Sequence, residues 1–131
     1  MKYVHLPETE FAVMQTVWEQ HAPVSSRQIT EFLTPRRNWK LQTVSTLLSR
    51  LEDKGFLSSE KQGKERYYKP LVDCDDYLRQ ETGQFMKTFH KNSITGLMSA
   101  LVSNNDVTED DLRELAAWLK NSENSSKKEG G

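Results

Sequence analysis

The polar side chains best suited to recognition chemistry lie in one stretch, residues 39–55. Valine and leucine recur there at spacings of three and four, which predicts a helix with one buried stripe. The opposite side would carry hydroxyl and amide groups followed by a guanidinium: Gln42, Thr43, Ser45, Thr46, Ser49 and Arg50. Such side chains can hydrogen-bond base edges while the helix backbone lies close to the floor of a DNA groove. The pattern indicates a recognition helix, and an ordinary solvated face is the alternative that it leaves open.

Positive charge gathers around this helix, although the chain of 131 residues has a formal net charge of −1. Residues 35–69 hold nine Lys and Arg against four Asp and Glu, a local net charge of +5. A surface that binds phosphates needs this kind of local excess. The candidate phosphate contacts are Arg37 and Lys40 before the helix, and Lys64 and Arg66 after it.

Composition argues against several other classes of function. No apolar run approaches the length of a membrane span, and the first residues do not form a signal peptide, so we expect a cytoplasmic protein without membrane insertion. Cys74 is the only cysteine, which leaves no intramolecular disulfide. His5, His21 and His90 fall in separate predicted elements without metal-ligand spacing, and no glycine-rich phosphate loop occurs. We therefore predict no enzyme, no metal and no cofactor.

Two helices are predicted before the recognition helix. Pro7 suits the first position of a helix, and a buried stripe follows it: Phe11, Met14, Val17 and Trp18. The residues from Ser25 to Gln28 have the form of a capping box, which marks the start of the second helix. The segment Thr34–Asn38 is interpreted as a basic turn that leads into the third helix.

After Gly55 the sequence period changes from that of a helix to that of strands. Residues 56–70 predict two short strands around Gln62-Gly63, with Lys61, Lys64 and Arg66 at the hairpin tip. Three helices followed by a basic hairpin form the winged helix-turn-helix arrangement, in which the third helix enters the major groove. We predict such a DNA-binding domain for residues 1–72.

Residues 73–120 predict three short amphipathic helices, so the fold class is mainly α. So few residues cannot easily form a hydrophobic core of their own, which favours a helical dimerisation domain packed against a symmetry mate. The residues assigned to that interface are Tyr77, Phe85, Phe89, Leu97, Leu101, Leu112, Leu115, Trp118 and Leu119. Residues 121–131 are polar and rich in Ser, Lys and Gly, and we predict a disordered tail there.

Three motifs resemble the penicillinase-repressor family: Glu10–Trp18, Gln42–Leu51 with Lys54-Gly55, and Tyr67–Pro70. That family includes regulators of β-lactamase and methicillin-resistance operons and copper-responsive repressors of bacteria. The resemblance covers roughly residues 4–120. It implies a homodimeric winged-helix repressor that binds a palindromic DNA operator, with a wing that touches the backbone and C-terminal helices that form the dimer. It assigns operator reading to Gln42, Thr43, Thr46 and Arg50.

The chain departs from the family pattern at three places. The drug-resistance regulators are cleaved at an Asn-Phe bond in the second C-terminal helix, where this chain has Ala100-Leu101, so a sensor protease as upstream partner is left open. The copper-responsive branch carries paired Cys-x-Cys motifs, whereas this chain has only Cys74, so that metal switch is absent. Relatives often begin the third helix with Ser-Pro, whereas Lys40-Leu41 here gives it a poorer cap.

Two other functions stay open at this level. The first is a winged-helix module for protein–protein contact, with the third helix as a docking face. The second is a ligand- or metal-responsive regulator that keeps the same DNA-binding half.

Overall fold

The computed structural model describes residues 2–129, which form helices and one antiparallel sheet. In chain order the elements are α1 (Glu8–Glu19), β1 (Val24–Ser25), α2 (Ser26–Arg37), α3 (Leu41–Asp53), β2 (Leu57–Gln62), β3 (Glu65–Pro70), α4 (Cys74–His90), α5 (Ile94–Ser103) and α6 (Glu109–Glu129). The chain divides into two compact units, Met1–Gly83 and Gln84–Gly131, and the division falls within α4. None of the helices described between residues 2 and 129 has the length and apolar character needed to cross a lipid bilayer.

The first unit has a core to which α1, α2, α3 and the sheet all contribute. Its fully buried side chains include Val13, Met14, Val17, Ile29, Val44, Leu48, Leu51 and Phe56. Phe11 and Trp18, the other members of the predicted α1 stripe, are half-buried and pack against this cluster. The helical periods in the sequence therefore identify the inward sides of α1 and α3 correctly.

The start of α2 agrees with the sequence, but its end does not. The Ser25 Oγ accepts a hydrogen bond from Gln28 N at 3.1 Å, and Ser25 N donates to Gln28 Oε1 at 2.9 Å, which completes the capping box. The predicted basic turn is wrong, because the helix continues through Pro35 to Arg37. A proline lacks the N–H of one helical hydrogen bond, and here that loss falls in the last turn. Asn38, with a φ of 56°, then ends the helix.

The end of α3 is set by a glycine. Gly55 has a φ of +79°, a left-handed conformation that glycine adopts without strain. Its N–H donates to Glu52 O at 3.0 Å, and Phe56 N donates to Leu51 O at 2.9 Å. These two bonds form a Schellman motif, which closes the helix and directs the chain into β2.

The sheet has the strand order β1-β3-β2, and its two longer strands form the predicted wing. Gln62 pairs with Glu65, so the hairpin turn consists of Gly63 and Lys64. Gly63 supplies a φ of +65° at the first position of this turn. The third strand, β1, was not predicted, because two residues are too few to show the alternation of a strand.

The boundary between the units lies later than the predicted domain boundary at residue 72. Tyr77 on α4 is only 2% exposed, and its ring packs against those of Phe11 and Phe56 at 5.8 and 5.4 Å between centroids. Its hydroxyl oxygen accepts a hydrogen bond from Leu6 N at 2.9 Å, and burial raises the pKa of the phenol above its usual range. Tyr77 therefore belongs to the core of the first unit, and its assignment to a dimer interface is wrong.

The second unit comprises the end of α4, α5 and α6, and its described side chains form no buried core. No side chain described between residues 84 and 123 is buried. Its helices nevertheless have well-formed starts, with Ser93 Oγ accepting from Gly96 N at 3.0 Å. Thr108 and Asp111 exchange two hydrogen bonds at the start of α6. The one that Thr108 N donates to the Asp111 carboxylate lowers the pKa of that carboxyl.

Helix α6 differs from the predicted disordered tail, because its backbone continues through residues 121–129. Extending an existing helix needs no new nucleus, so a polar segment can remain helical without an apolar stripe. Residues 130 and 131, the rest of the predicted tail, lie outside the described residues.

Candidate nucleic-acid interface

The exposed side of α3 carries the polar residues expected there. Val44, Leu47, Leu48 and Leu51 are buried on one side of the helix. The other side is exposed and carries Gln42, Thr43, Ser45, Thr46, Ser49 and Arg50. A helix held by one apolar stripe thus presents short polar groups and one guanidinium to solvent.

Most of the predicted base and phosphate contacts on α3 lie together. A shallow depression of about 300 Å³ is lined by Lys40, Gln42, Thr43, Thr46, Leu47 and Arg50. The depression combines amide, hydroxyl, ammonium and guanidinium groups, which are the donors and acceptors that read base edges and phosphates.

The polar groups of this depression have donors and acceptors that are not used in hydrogen bonds with the described residues. Thr46 donates through its hydroxyl to Gln42 O at 3.0 Å, so its lone pairs remain available as acceptors. The side chains of Gln42, Thr43 and Arg50 make no hydrogen bond or ion pair with any described part of the chain. These groups can therefore bond to a ligand without breaking contacts within the protein.

The N-terminus of α3 adds further donors. Lys40 is the N-cap residue, and its side chain makes no capping hydrogen bond, in agreement with the poorer cap expected from Lys40-Leu41. The first N–H groups of a helix lack partners within it and lie at the positive end of the helix dipole. An exposed lysine beside them makes this end of α3 favourable for a phosphate oxygen.

The register of the wing determines which of its cations share a face. Tyr68 is buried, so its face of β3 is the inward one, and successive side chains alternate between faces. Arg66 therefore shares the face of Tyr68, as does its cross-strand partner Lys61. Lys69 lies on the opposite face.

Lys61 is a further exposed cation on the wing, and it shares a face with Arg66. It was placed at the hairpin tip but was not counted among the candidate contacts. Its pairing with Arg66 is a matter of strand register, which the turn residues indicate once Gly63-Lys64 is recognised as a two-residue loop. Lys64 lies in that loop and is exposed, whereas Arg66 donates to Ser59 Oγ at 2.8 Å.

Arg37 has a structural partner. Both terminal nitrogens of its guanidinium donate to the carboxylate of Glu8, which connects the end of α2 to the start of α1. The same hydrogen bonds lower the pKa of the Glu8 carboxyl. The guanidinium also lies over the ring of Trp39, 5.1 Å from its centroid. Arg37 is thus committed to intramolecular contacts, unlike Lys40 and Arg50.

A buried ion pair fixes the C-terminal end of α3. Glu10 on α1 is only 3% exposed, and its carboxylate accepts a hydrogen bond from Lys54 Nζ. A buried carboxylate left without this partner would be strongly destabilising. The pair therefore holds α1 against the end of α3 and helps to orient the recognition side of the helix.

The predicted dimer residues of the second unit are mostly exposed. Phe89 and Trp118 are 70% and 62% exposed, and Phe85, Leu112, Leu115 and Leu119 are exposed as well. Leu97 and Leu101 are half-buried. Exposed apolar side chains are thus common among the described residues of the second unit.

The three helices of the first unit, its basic wing and the outward polar side of α3 define a winged helix-turn-helix fold of the DNA-binding class. A sequence profile of the penicillinase repressor family matches residues 6–121. The chain belongs to this family, as its motifs suggested.

Relatives of known role cover nearly the whole chain. The penicillinase repressor of Bacillus licheniformis is 25% identical over 126 residues, which are 96% of this chain and 98% of that protein. The methicillin resistance regulatory protein MecI of Mammaliicoccus sciuri is 28% identical over 114 residues, or 87% of this chain and 92% of that protein.

Solved structures confirm the fold of the first unit. The solution structure of the DNA-binding domain of the repressor BlaI has a TM-score of 0.52 and 30% identity, covering 58% of this chain and 92% of that one. The monomeric form of Bacillus licheniformis BlaI in complex with the blaP half-operator has a TM-score of 0.50 with the same identity and coverage. The predicted winged helix is therefore correct.

Proposed function

We propose that this chain is a transcriptional repressor that binds a palindromic DNA operator as a homodimer. The observation that carries the proposal is the depression on α3, where Gln42, Thr43 and Arg50 have no partner within the described chain. The solved complex of a family member with a half-operator supports duplex DNA as the ligand.

The two parts of the interface have different roles in this proposal. Gln42, Thr43, Thr46 and Arg50 contact base edges in the major groove and supply sequence preference. Lys40, Lys61, Lys64 and Arg66 contact phosphates, which fix the position of the protein and make binding depend on salt. Arg37 is a secondary contact, because Glu8 already neutralises its charge.

The dimer in this proposal forms through the second unit. Its helices leave Phe85, Phe89, Trp118 and other apolar side chains exposed, and none of its described side chains is buried. A second copy presents the same surface and can cover this one with two-fold symmetry. Two recognition helices related by that axis require an operator with two inverted half-sites.

The proposed role also sets where the protein acts and what it is not. A bacterial repressor meets its operator in the cytoplasm, where the chromosome lies. The chain acts there as a regulator and not as an enzyme.

The proposal is tested by selecting binding sites for the full chain from a pool of random DNA duplexes. We expect an enriched sequence with two inverted half-sites, bound tightly at low salt and much more weakly when the salt concentration is raised. Enrichment of no sequence would refute the repressor function. Complete absence of DNA binding at low salt would favour the protein-docking alternative.

A further inference from the structure

The residues before α1 form a short segment that lies against the start of α4; we call this segment, residues 2–6, the strap. Tyr3 N donates to Gln80 Oε1 at 2.8 Å, and Gln80 Nε2 donates to Tyr3 O at 2.7 Å. One side-chain amide thus satisfies both backbone groups of a residue 77 positions away in the sequence. Directly paired residues of two antiparallel β-strands form two hydrogen bonds in a similar way.

Further contacts extend this pairing in both directions along α4. Leu6 N donates to the hydroxyl oxygen of Tyr77 at 2.9 Å. His5 Nδ1 lies 3.0 and 2.9 Å from the two carboxylate oxygens of Glu81. The hydroxyl of Tyr3 lies 3.4 Å from Asp76 Oδ2. The strap is therefore joined to more than one full turn of α4.

The strap is also attached to the winged helix itself. Leu6 is buried in the core of the first unit, and the ring of Tyr3 lies 6.1 Å from that of Phe56 between centroids. The strap consequently bridges the core and α4. It makes this bridge without taking part in the DNA-binding surface on α3.

Apart from the strap contacts, α4 is held to the core of the first unit by one buried side chain. Tyr77 is the only residue that α4 buries among its described positions. One buried side chain holds α4 at a single position. The polar contacts of the strap lie on either side of Tyr77 and add attachment points at Asp76, Gln80 and Glu81.

We infer that Gln80 and the strap are positioning elements for operator recognition, which hold the first turns of α4 on the winged helix. The inference rests on the proposed dimeric repressor. Helix α4 continues as one helix beyond Gly83, so in that dimer the first turns of α4 connect each recognition helix to the dimerising helices. A dimer without the strap samples several separations, and only a fraction of these fits two half-sites at once.

The test compares the full-length Gln80→Ala variant with Gln84→Ala, which removes the same side chain one helical turn further along α4. Gln84 bonds to Thr88 on its own helix and not to the strap. Affinity is measured for a duplex with one half-site, for the selected palindrome, and for palindromes with one or two base pairs inserted or removed between half-sites. Light scattering establishes that each protein is dimeric at the concentrations used.

We expect Gln80→Ala to bind the single half-site like the parent, and to bind the palindrome about tenfold more weakly, since the competent fraction of dimers falls. The loss of affinity caused by changing the spacing between half-sites should also be smaller than for the parent. A dimer without the strap contacts can adopt other separations of its two recognition helices. The Gln84→Ala control should retain the parental affinity and spacing preference.

A chain lacking residues 2–5 provides a second, stronger variant, with circular dichroism to establish that it folds. If Gln80→Ala kept both the parental palindrome affinity and the parental spacing preference, the inference would be overturned. Failure of the proposed function looks different, since the unmodified chain would then fail to distinguish its selected site from random DNA.

Discussion

At the scale of single residues, most side chains proposed for DNA contact have no ion-pair partner among the described residues. Arg37 and Lys54 are engaged by carboxylates, whereas Lys40 and Arg50 are not paired within the described chain. A cation that already has a carboxylate partner gains less from a phosphate, because that partner must first be given up. The pairing pattern therefore separates structural cations from those available to a ligand.

Arg50→Ala should weaken binding to the selected operator by about 1–3 kcal/mol and relax the preference at one base pair. The reason is that a guanidinium without an internal partner can form two bonds with one guanine. The measurement is a titration of operators mutated at each position in turn. Arg79→Ala is the matched control, since Arg79 lies on α4 and pairs with Asp76. An Arg50→Ala protein with the parental preference at every base pair would contradict the assigned role.

Lys64→Ala should weaken binding to all DNA sequences about equally and reduce the slope of log affinity against log salt concentration by about one. Lys64 lies in the exposed hairpin turn. We expect it to contact a phosphate and not a base edge. Affinity for operator and random DNA is measured at several salt concentrations. Lys87→Ala on α4 serves as the control, and an unchanged slope for Lys64→Ala would remove the wing from the interface.

Residue assignments were predictable where they depend on one helix and not where they depend on distant contacts. The 3.6-residue period places Thr43 and Arg50 opposite Leu48 without any tertiary information. Arg37 and Glu8 are 29 residues apart in the sequence, and no local sequence pattern predicts that they form an ion pair. Tyr77 was misassigned for the same reason. An aromatic residue on an amphipathic helix gives the same sequence pattern whether it is buried by its own chain or by a partner.

At the scale of secondary-structure elements, the ends of the helices depend on local capping chemistry. Ser25 and Gln28 define the start of α2 through their own hydrogen bonds, so the sequence alone locates it. The end of α2 was not predictable in this way, because Pro35 usually signals a break and here lies within the last turn. The short strand β1 exists only through its pairing with β3, which is a tertiary contact.

Substituting alanine at Gly55 and at Gly83 should have opposite effects on stability. Neither position has an atom within 4 Å of an added Cβ, so space does not distinguish them. Gly55 has a φ of +79°, and alanine there should cost about 1 kcal/mol in backbone strain. Gly83 lies within α4, where alanine should stabilise the helix by about 0.5–1 kcal/mol. Urea unfolding followed by circular dichroism measures both, and equal effects would contradict this account.

At the scale of the whole molecule, the two units differ in how they bury apolar surface. The first has a closed core that includes Leu6, Phe56 and Tyr77, whereas the second leaves Phe89 and Trp118 largely exposed. The sequence predicted this contrast, because three short amphipathic helices have too few residues to close a core of their own. The boundary was misplaced because the first turns of α4 pack on the first unit.

Leu119→Gln should weaken the proposed dimer by about 2–4 kcal/mol, since two leucine side chains per dimer lose their burial. Lys120→Gln introduces the same residue at the next position of α6 and should leave the dimer intact. Sedimentation equilibrium over a range of concentrations measures the association directly. A Leu119→Gln protein as tightly associated as the Lys120→Gln protein would show that α6 does not contribute to the interface.

The absence of a buried core among the described residues of the second unit has a consequence for the amount of protein in the cell. In the proposed homodimer, the first unit has its own core, whereas the second unit gains apolar burial only when two copies meet. Unpaired chains would then expose helices to proteases that the dimer protects. The rates of synthesis and degradation would then set a sharp threshold in the concentration of the protein. Below this concentration the regulated promoter is unoccupied, and above it the promoter is repressed.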